Sequence, residues 1–298
     1  MDLLDGLRAF VATAQTGSFT AAAERLGLSN RLTSKYVAEL ESRLGVRLLQ
    51  RTTRRVGITP AGEEMLLRAP ALLDEIEDLL ASTSAGSRGY TGVLRISAPV
   101  SFGESHVKDL LSRFAAHHPG LSIDLRLDDG FVDLATAGID LAFRIGEPGQ
   151  QSLKARRLGT LTSALVASPE YLARCGAVQV PADLERHDCI VDTNRRNPFL
   201  WPLLRDGEET VVAVRSRFMV NSAQIARDLA VSGIGVAFCP RFVLRDDLAS
   251  GRLVELLPDY RSRTAPLNAV YLEGRVLPRK IRALIDFAAA ELRRDGLD

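Results

Sequence analysis

Residues 18–62 read SFTAAAERLGLSNRLTSKYVAELESRLGVRLLQRTTRRVGITPAG, and this stretch decides the fold of the first part of the chain. Ser18 can cap one helix, which Gly27 ends, and Ser29 can cap the next helix. Only Gly27-Leu28-Ser29 separates the two helices. A three-residue connection that contains glycine is typical of a helix-turn-helix, so the spacing predicts that motif.

The helix after Ser29 has two different faces. Its inner stripe recurs at helical spacing and consists of Thr33, Val37, Leu40 and Leu44. Its opposite face carries small and basic residues, namely Arg31, Ser34, Lys35 and Ala38. This composition suits a helix that enters the major groove, because long basic side chains reach bases and phosphates while small residues allow close approach.

A wing is predicted directly after this helix. Short strands at 46–49 and 57–59 flank the basic turn Gln50–Arg55, which can grip phosphate or reach into a minor groove. Upstream, an amphipathic helix that begins near Leu3 and stops at Gly17 completes the predicted helical head.

The charge of the chain is unevenly distributed. The 298 residues contain 38 Lys+Arg and 37 Asp+Glu, a net charge of +1 that argues against a nucleic-acid binder. From Arg25 to Gly62, however, eight basic residues face two acidic ones, a net of +6, which leaves −5 for the remainder. A solvated basic face and a nucleic-acid surface both fit this charge, and the helix pattern favours the second.

A long helix is predicted after the wing. Thr59 can cap it, with Pro60 at its first position. Its apolar residues repeat at spacings of three and four, which is typical of a pairing seam: Leu66, Ala69, Leu73, Ile76 and Leu80. Packing on the chain's own core is the alternative. Pro70 predicts a bend, and residues 82–89 read as a hinge rich in small residues.

The remaining two hundred residues alternate short apolar runs with helical stretches. Strands are predicted at 93–97, 121–127, 139–144, 162–167, 235–238 and 267–272, and helices at 106–117, shortly before Ile139, and from Pro278 to about Arg294. This rhythm predicts an α/β domain with a parallel sheet covered on both faces.

Several motifs in the first sixty residues resemble the winged helix-turn-helix of LysR-type transcriptional regulators. The matching elements, in order, are Ser18-Phe19-Thr20-Ala21-Ala22-Ala23, Ser29 with Ser34-Lys35, Leu40-Glu41, Leu44-Gly45-Val46-Arg47-Leu48-Leu49, Arg51-Thr52-Thr53-Arg54 and Thr59-Pro60-Ala61-Gly62. The resemblance covers essentially the whole chain. It implies a bacterial regulator that binds double-stranded promoter DNA as a homodimer or homotetramer, with RNA polymerase as a candidate partner.

The resemblance also implies the domain organisation. We expect an all-α winged helix-turn-helix at 1–60, a linker or dimerisation helix and hinge at 61–88, and an α/β two-lobed effector domain at 89–298, like periplasmic solute-binding proteins. Lobe I is expected at about 90–161 and 267–298, and lobe II at about 162–266, with crossing segments near Leu158–Ala164 and Arg263–Val270. Because the family pairs its linker helix between subunits, the resemblance favours the pairing seam.

Candidate DNA-binding residues follow from the resemblance and the basic face together: Ser18, Thr20, Arg31, Thr33, Ser34, Lys35, Arg51, Thr52, Arg54 and Arg55. The turn into the recognition helix departs from the family, since Asn30-Arg31-Leu32 stands where Gln, then Pro or Ser, then Ala are common. Arg31 can make a bidentate contact with guanine, or it can contact phosphate.

A cleft between the lobes is expected to hold a small anionic or aromatic effector, because strand ends and helix starts bind ligands in open α/β sheets. The candidates are Ser101, Phe102, Asp128, Arg144, Trp201, Asn221 and Ser222. For Trp201, the only tryptophan, a structural role in the core is the alternative to stacking on a ligand.

No catalytic motif or metal-ligand set is recognisable, so neither enzymatic activity nor a cofactor or metal is predicted. His117 and His118 are expected at a helix C-cap. Three scattered cysteines, no apolar run long enough for a membrane and an acidic N-terminus predict a cytoplasmic location. The alternatives are an effector-independent repressor and, less favoured, a binding protein or enzyme with a vestigial head.

Overall fold

The computed structural model describes residues 2–51, 56–83, 89–130, 133–147, 153–273 and 277–297. Its N-terminal part contains three helices, α1 (Leu3–Thr16), α2 (Phe19–Leu26) and α3 (Asn30–Leu44). Each helix ends at a glycine with a φ of 65° to 70°, Gly17, Gly27 and Gly45. These are the predicted stops, and they work because glycine adopts this left-handed conformation without steric cost.

The wing is a two-stranded antiparallel ladder of β1 (Leu49–Arg51) and β2 (Val56–Ile58). The strand predicted at 46–49 was therefore placed too early. The backbone N–H groups of Leu48 and Leu49 instead donate to the buried Glu41 carboxylate, at 2.8 and 3.0 Å. Because the carboxylate accepts these donors, strand pairing starts only at Leu49.

Helix α4 (Pro60–Thr83) continues through Pro70. Its predicted pairing seam is wrong for three of the five residues. Leu66, Ala69 and Leu73 are 3–7% exposed and pack against α1 and α3 in the head's own core. The apolar side chains that α4 leaves exposed are Leu67, Leu72, Leu79 and Leu80. An apolar repeat is buried whether it packs on its own chain or on a second subunit. The repeat alone therefore did not distinguish pairing between subunits from packing on the chain's own core.

The C-terminal domain contains two five-stranded sheets. The lobe I sheet has the order β4-β3-β5-β15-β6, with β3 (Thr91–Ala98), β4 (Gly120–Leu127), β5 (Leu141–Ile145), β6 (Leu153–Leu161) and β15 (Ala265–Leu272). The lobe II sheet has the order β11-β8-β12-β7-β13, with β7 (Ser163–Ala167), β8 (Cys189–Asp192), β11 (Ser216–Val220), β12 (Val236–Pro240) and β13 (Val254–Leu256).

Both sheets are mixed, whereas the sequence pattern predicted a parallel sheet. In each sheet four strands run in the same direction and one strand, β15 in lobe I or β7 in lobe II, runs opposite to them. The chain passes between the sheets at Thr162 and again at residues 263–264. A third, antiparallel sheet of β9 (Leu200–Arg205), β10 (Glu208–Ala213) and β14 (Arg261–Ser262) lies beside lobe II.

Helices cover these sheets. They are α5 (Val100–Phe102), a π-helical turn (Gly103–Val107), α6 (Lys108–Ala116), α7 (Pro169–Cys175), α8 (Ala223–Val231), α9 (Arg245–Ala249) and α10 (Arg279–Arg294), with 3₁₀ turns at Pro181–Arg186 and Arg241–Val243. The short helix expected before Ile139 is only a turn. Asp133 Oδ1 accepts from the Ala135 N–H at its start, and Gly138 ends it at a φ of 65°. His117 is the C-cap of α6, as predicted.

Candidate nucleic-acid interface and effector cleft

Helices α2 and α3 are fixed to each other at their N-terminal ends. The Ser29 hydroxyl accepts a bond from the Leu32 N–H at 3.2 Å and so caps α3. Asn30 Nδ2 donates to Thr20 Oγ1 at 2.9 Å and so ties the start of α3 to α2. Capping and this side-chain bond together fix the direction in which α3 projects.

The outer face of α3 is open to solvent. Arg31, Lys35 and Ala38 are exposed and Ser34 is half-buried. Lys35 Nζ lies 3.6 Å from Glu39 Oε1, an exposed pair that contributes little stability and can be exchanged for a phosphate. Thr33 is fully buried and donates its hydroxyl to the Ser29 carbonyl at 3.1 Å, so its inclusion among the DNA-contacting residues is wrong.

Of the other expected DNA contacts, Thr20 and Ser18 lie at the start of α2. Thr20 is exposed, while the Ser18 hydroxyl caps α2 by accepting from the Ala21 N–H at 3.4 Å. The backbone of Arg51 pairs with Val56 in the wing. The remaining expected wing residues, Thr52, Arg54 and Arg55, lie outside the described residues.

Glu41 is a structural residue that the sequence pattern did not reveal. Besides accepting from two backbone N–H groups of the wing, its carboxylate lies 3.4 Å from Arg47 Nη1. It therefore fastens the end of α3 to the start of β1. The available signal was an acidic residue in the middle of a basic segment, at a position next to the buried stripe.

The two lobes meet where β3 and β11 end. The Ala223 N–H at the start of α8 donates to Ser101 Oγ in α5 at 3.1 Å, and Gln224 Nε2 donates to Ser105 Oγ at 3.2 Å. Since α5 follows β3 and α8 follows β11, these bonds place the carboxyl ends of the two sheets opposite each other. Ser101 is thus brought to the cleft together with Ser222, which caps α8.

Lobe I supplies Arg144 to this cleft. The Arg144 guanidinium donates to Ser97 Oγ at 2.8 Å and to the Phe143 carbonyl at 2.9 Å. Burial lowers the pKa of Arg144, while the charges of Asp128 and Asp129 raise it. Asp129 accepts from the Val100 N–H at 3.1 Å, and Asp128 accepts from the Gly130 N–H at 2.7 Å.

Lobe II supplies a second guanidinium, which the sequence analysis missed. Arg195 Nη2 donates to Ser163 Oγ at 2.9 Å and to the Phe238 carbonyl at 2.8 Å, and its Cζ lies 4.1 Å from the centre of the Phe238 ring. Burial lowers the pKa of Arg195, and Asp192 beside it opposes that change. Its position directly after β8 was the signal that could have revealed it.

The pKa of Asp192 in lobe II is affected by charged groups of both lobes. Burial raises the pKa of its carboxyl, whereas the Asn194 N–H bond and Arg195 lower it, and Asp129 of lobe I raises it further. This effect of Asp129 agrees with the opposition of the two sheet ends that the Ser101–Ala223 bond establishes. Asn221 lies nearby, where its carbonyl accepts from Asn194 Nδ2 at 2.7 Å.

Two aromatic candidates lie in the cores instead. Trp201 is 1% exposed, donates Nε1 to the Pro198 carbonyl at 3.0 Å and packs on the Phe238 ring at 5.6 Å. Phe102 is fully buried between His106 and Phe242. Neither ring offers a face to a ligand, so both predicted contacts are wrong and the structural alternative for Trp201 is correct.

The cysteines and histidines do not form a reactive site in the part of the chain that the structure describes. Cys175, Cys189 and Cys239 are all free thiols, and burial raises the pKa of the latter two to about 12. No group of three or more potential His, Cys, Asp or Glu ligands comes together among the described residues. No described helix combines the length and apolar composition of a membrane span.

A winged helix-turn-helix joined by a long helix to two α/β lobes with a polar cleft defines a DNA-binding regulator with a small-molecule sensor. Two family models support this class, one in the helix-turn-helix part and one in the two-lobed part. "Bacterial regulatory helix-turn-helix protein, lysR family" matches residues 4–63, and "LysR substrate binding domain" matches residues 87–293. The chain belongs to the LysR family of bacterial transcriptional regulators, a family of regulators rather than enzymes.

Characterised relatives match along nearly the full chain. The HTH-type transcriptional regulator PtxR of Pseudomonas aeruginosa is 37% identical over 292 residues, which cover 98% of this chain and 94% of that protein. The solved structure of CrgA, a LysR-type regulator from Neisseria meningitidis, is 32% identical with a TM-score of 0.63, covering 96% and 98%. The Vibrio cholerae virulence activator AphB is 28% identical with a TM-score of 0.62, covering 97% and 99%.

Proposed function

We propose that the chain recognises double-stranded promoter DNA through the exposed face of α3, with Arg31, Ser34 and Lys35 reaching the major groove. The observation that carries this assignment is the open basic face itself, which the Asn30–Thr20 bond and the Ser29 cap hold in a fixed direction. Ser18, Thr20 and the wing arginines Arg51, Arg54 and Arg55, with Thr52, would contact the backbone.

We propose that the chain is cytoplasmic and forms a homo-oligomer. Three exposed leucines on α4, Leu67, Leu72 and Leu79, lie off the stripe that packs on the head, and the exposed Leu80 continues that stripe beyond the head. These side chains support pairing of α4 between subunits. A groove of about 330 Å³, lined by Leu72, Ile76, Leu79 and charged neighbours, follows the same side. Dimers would place two recognition helices on two half-sites, and tetramers or contacts with RNA polymerase would build on that dimer.

The cleft is the proposed effector site. Ser101, Arg144, Asp128, Asn221 and Ser222 surround it, and a small molecule that contacts both lobes would change their separation. Such a change in the effector domain would alter promoter binding or activation through α4, since this helix connects the two domains.

Gel-shift titrations on the DNA upstream of the chain's own gene test the DNA assignment. Lys35→Ala should weaken specific binding about tenfold, because a charge contact with the duplex is lost. Lys108→Ala, an exposed lysine on α6, is the matched control and should bind normally. Unchanged affinity of K35A, or equal affinity of the wild type for random duplex, would refute the assignment.

Arg31→Ala distinguishes the two roles of that side chain. Loss of a bidentate guanine contact would abolish discrimination at one base pair, whereas loss of a phosphate contact would weaken all sequences alike and lower the salt slope by about 1. If neither affinity nor salt slope changes, Arg31 does not contact DNA.

A further inference from the structure

We propose that the effector is a dianion with two carboxylate groups, one bound by Arg144 of lobe I and the other by Arg195 of lobe II. The inference rests on the proposed role of the cleft as the effector site, and it names the chemical class that the site takes. It also assigns Arg195 to the binding site, together with the serine that supports it.

Each of the two arginines lies at or shortly after the carboxyl end of a strand in its own lobe, although the two strands differ in their place in the sheet order. Arg144 lies near the carboxyl end of β5 and Arg195 shortly after the carboxyl end of β8. Each guanidinium is fixed by a serine hydroxyl on another strand, Ser97 Oγ at 2.8 Å in lobe I and Ser163 Oγ at 2.9 Å in lobe II. A backbone carbonyl holds each one a second time. This fixed geometry removes the entropy cost of ordering two long side chains when a ligand binds.

Both guanidiniums retain unused hydrogen-bonding capacity. A guanidinium has five N–H donors, and each of these two uses only two of them in bonds to the described residues. Among the described residues neither forms an ion pair within 4.0 Å. A partly buried cation without a bonded anion is costly, and a carboxylate that accepts the free N–H bonds compensates that cost directly.

The carboxylates of the cleft are less available to bind a cationic ligand than the guanidiniums are to bind an anion. Asp128, Asp129 and Asp192 each accept a backbone N–H, from Gly130, Val100 and Asn194. These bonds already satisfy one lone pair each and hold the carboxylates against their own loops. The acidic groups neutralise the arginines at longer range when the cleft is empty, which explains how two cations are tolerated there. The remaining donor capacity lies on the guanidiniums.

The stacking of Arg195 on Phe238 adds specificity for a planar anion. With its Cζ 4.1 Å from the ring centre, the guanidinium has one face covered and can bind only through its edge. Both Nη2 protons are donated to Ser163 Oγ and the Phe238 carbonyl, so the N–H groups of Nε and Nη1 remain for the oxygens of an anion. Lysine would keep the charge but lose the stacking and these planar donors.

Calorimetric titration and thermal-shift measurements on the full chain test the proposal with linear dicarboxylates from malonate to suberate as probes. At least one length should bind saturably and raise the melting temperature, while the monocarboxylate of the same length binds at least tenfold more weakly. Arg144→Gln and Arg195→Gln should each weaken that dicarboxylate about ten- to a hundredfold, and Arg195→Lys should not restore it. Arg196→Gln is the matched control, because Arg196 is the exposed neighbour of Arg195.

The outcomes separate this inference from the proposed function. If no dicarboxylate binds, or if one binds equally to R195Q, the two-arginine site is refuted. A diamine or a neutral aromatic compound that binds the cleft instead would refute the dianion while preserving an effector site. Specific DNA binding that no small molecule of any class alters would contradict the effector role itself. The melting temperature of the effector domain without ligand, compared between the wild type, R144Q and R195Q, reports whether the domain that carries these substitutions is still folded.

Discussion

Arg31 and Lys35 lie four residues apart on one helix, whereas Arg144 and Arg195 belong to different sheets and lie 51 residues apart in sequence. The first two side chains extend into solvent, where charge is well hydrated and needs no fixed partner. The second two are partly buried, and each is held by a serine and a carbonyl. A surface for DNA can therefore be built by one continuous segment, but a cleft for a small molecule requires convergence of distant segments.

The largest expected effect tests whether these two regions fold independently. A Cβ on Gly62 would lie 2.1 Å from the Leu48 carbonyl oxygen in the head, and a Cβ on Gly235 would lie 2.2 Å from the Asp188 carbonyl oxygen in lobe II. Both contacts involve backbone atoms, so Gly62→Ala and Gly235→Ala should each destabilise their own domain by about 3 kcal/mol. Urea unfolding followed by circular dichroism measures this.

Gly57→Ala is the control for the head, because its nearest neighbour is the flexible Gln50 side chain at 3.2 Å. It should change the free energy of unfolding by less than about 1 kcal/mol. G62A should abolish DNA binding and leave the effector domain folded. G235A should unfold the effector domain and leave DNA binding intact. If either variant unfolds both domains together, the separation of the two regions does not hold.

A smaller effect concerns how the head keeps α3 and the wing together. Glu41→Ala removes the acceptor of two backbone N–H groups and should destabilise the head by about 2 kcal/mol. Glu39→Ala removes only the exposed partner of Lys35 and should cost less than about 0.5 kcal/mol. The melting temperature and urea midpoint of the head measure both. Equal effects of the two variants would remove Glu41 from its anchoring role.

The smallest expected effect is a pH dependence confined to the lobes. His106 Nδ1 is buried without a hydrogen bond, and the ring stacks on Phe102 at 5.1 Å and meets Phe242 of lobe II edge-on at 5.4 Å. Burial lowers the pKa of His106 below its ordinary value, with Arg245 lowering it and Asp295 and Asp109 raising it.

The unfolded chain therefore takes up the proton before the folded domain does. The contribution of His106 to stability is complete above its unfolded pKa of about 6.5 and falls as the pH drops towards the folded value, by at most about 1.4 kcal/mol per pH unit. His106→Phe keeps an aromatic ring and should flatten this slope between about pH 6.5 and 5, whereas His117→Gln at the end of α6 should not. A slope that is the same in H106F and in the wild type would contradict the assignment. Burial also lowers the pKa of His118, so some slope should remain in H106F.

Local patterns predicted the head well. The three glycine stops, the serine caps and the exposed face of α3 all depend on residues within a few positions of one another, and periodicity reports such relations directly. The failures were contacts over longer distances. Helix α4 packs its first apolar stripe on its own head, and Trp201 and Phe102 fill interiors. An apolar stripe has the same appearance in the sequence whether the same chain or a second chain covers it.

The sequence by itself determined the helical head with its basic face and the existence of an α/β domain, since caps, spacing and charge are properties of neighbouring residues. The resemblance of its motifs implied the class of protein. Only the tertiary structure added Arg195 to the cleft for which the sequence had proposed Arg144. The carboxyl ends of the two sheets are opposed through the Ser101–Ala223 bond, which turns the strand ends that carry these arginines towards one cleft. No local pattern encodes that approach, because it depends on the packing of segments that lie more than a hundred residues apart in the chain.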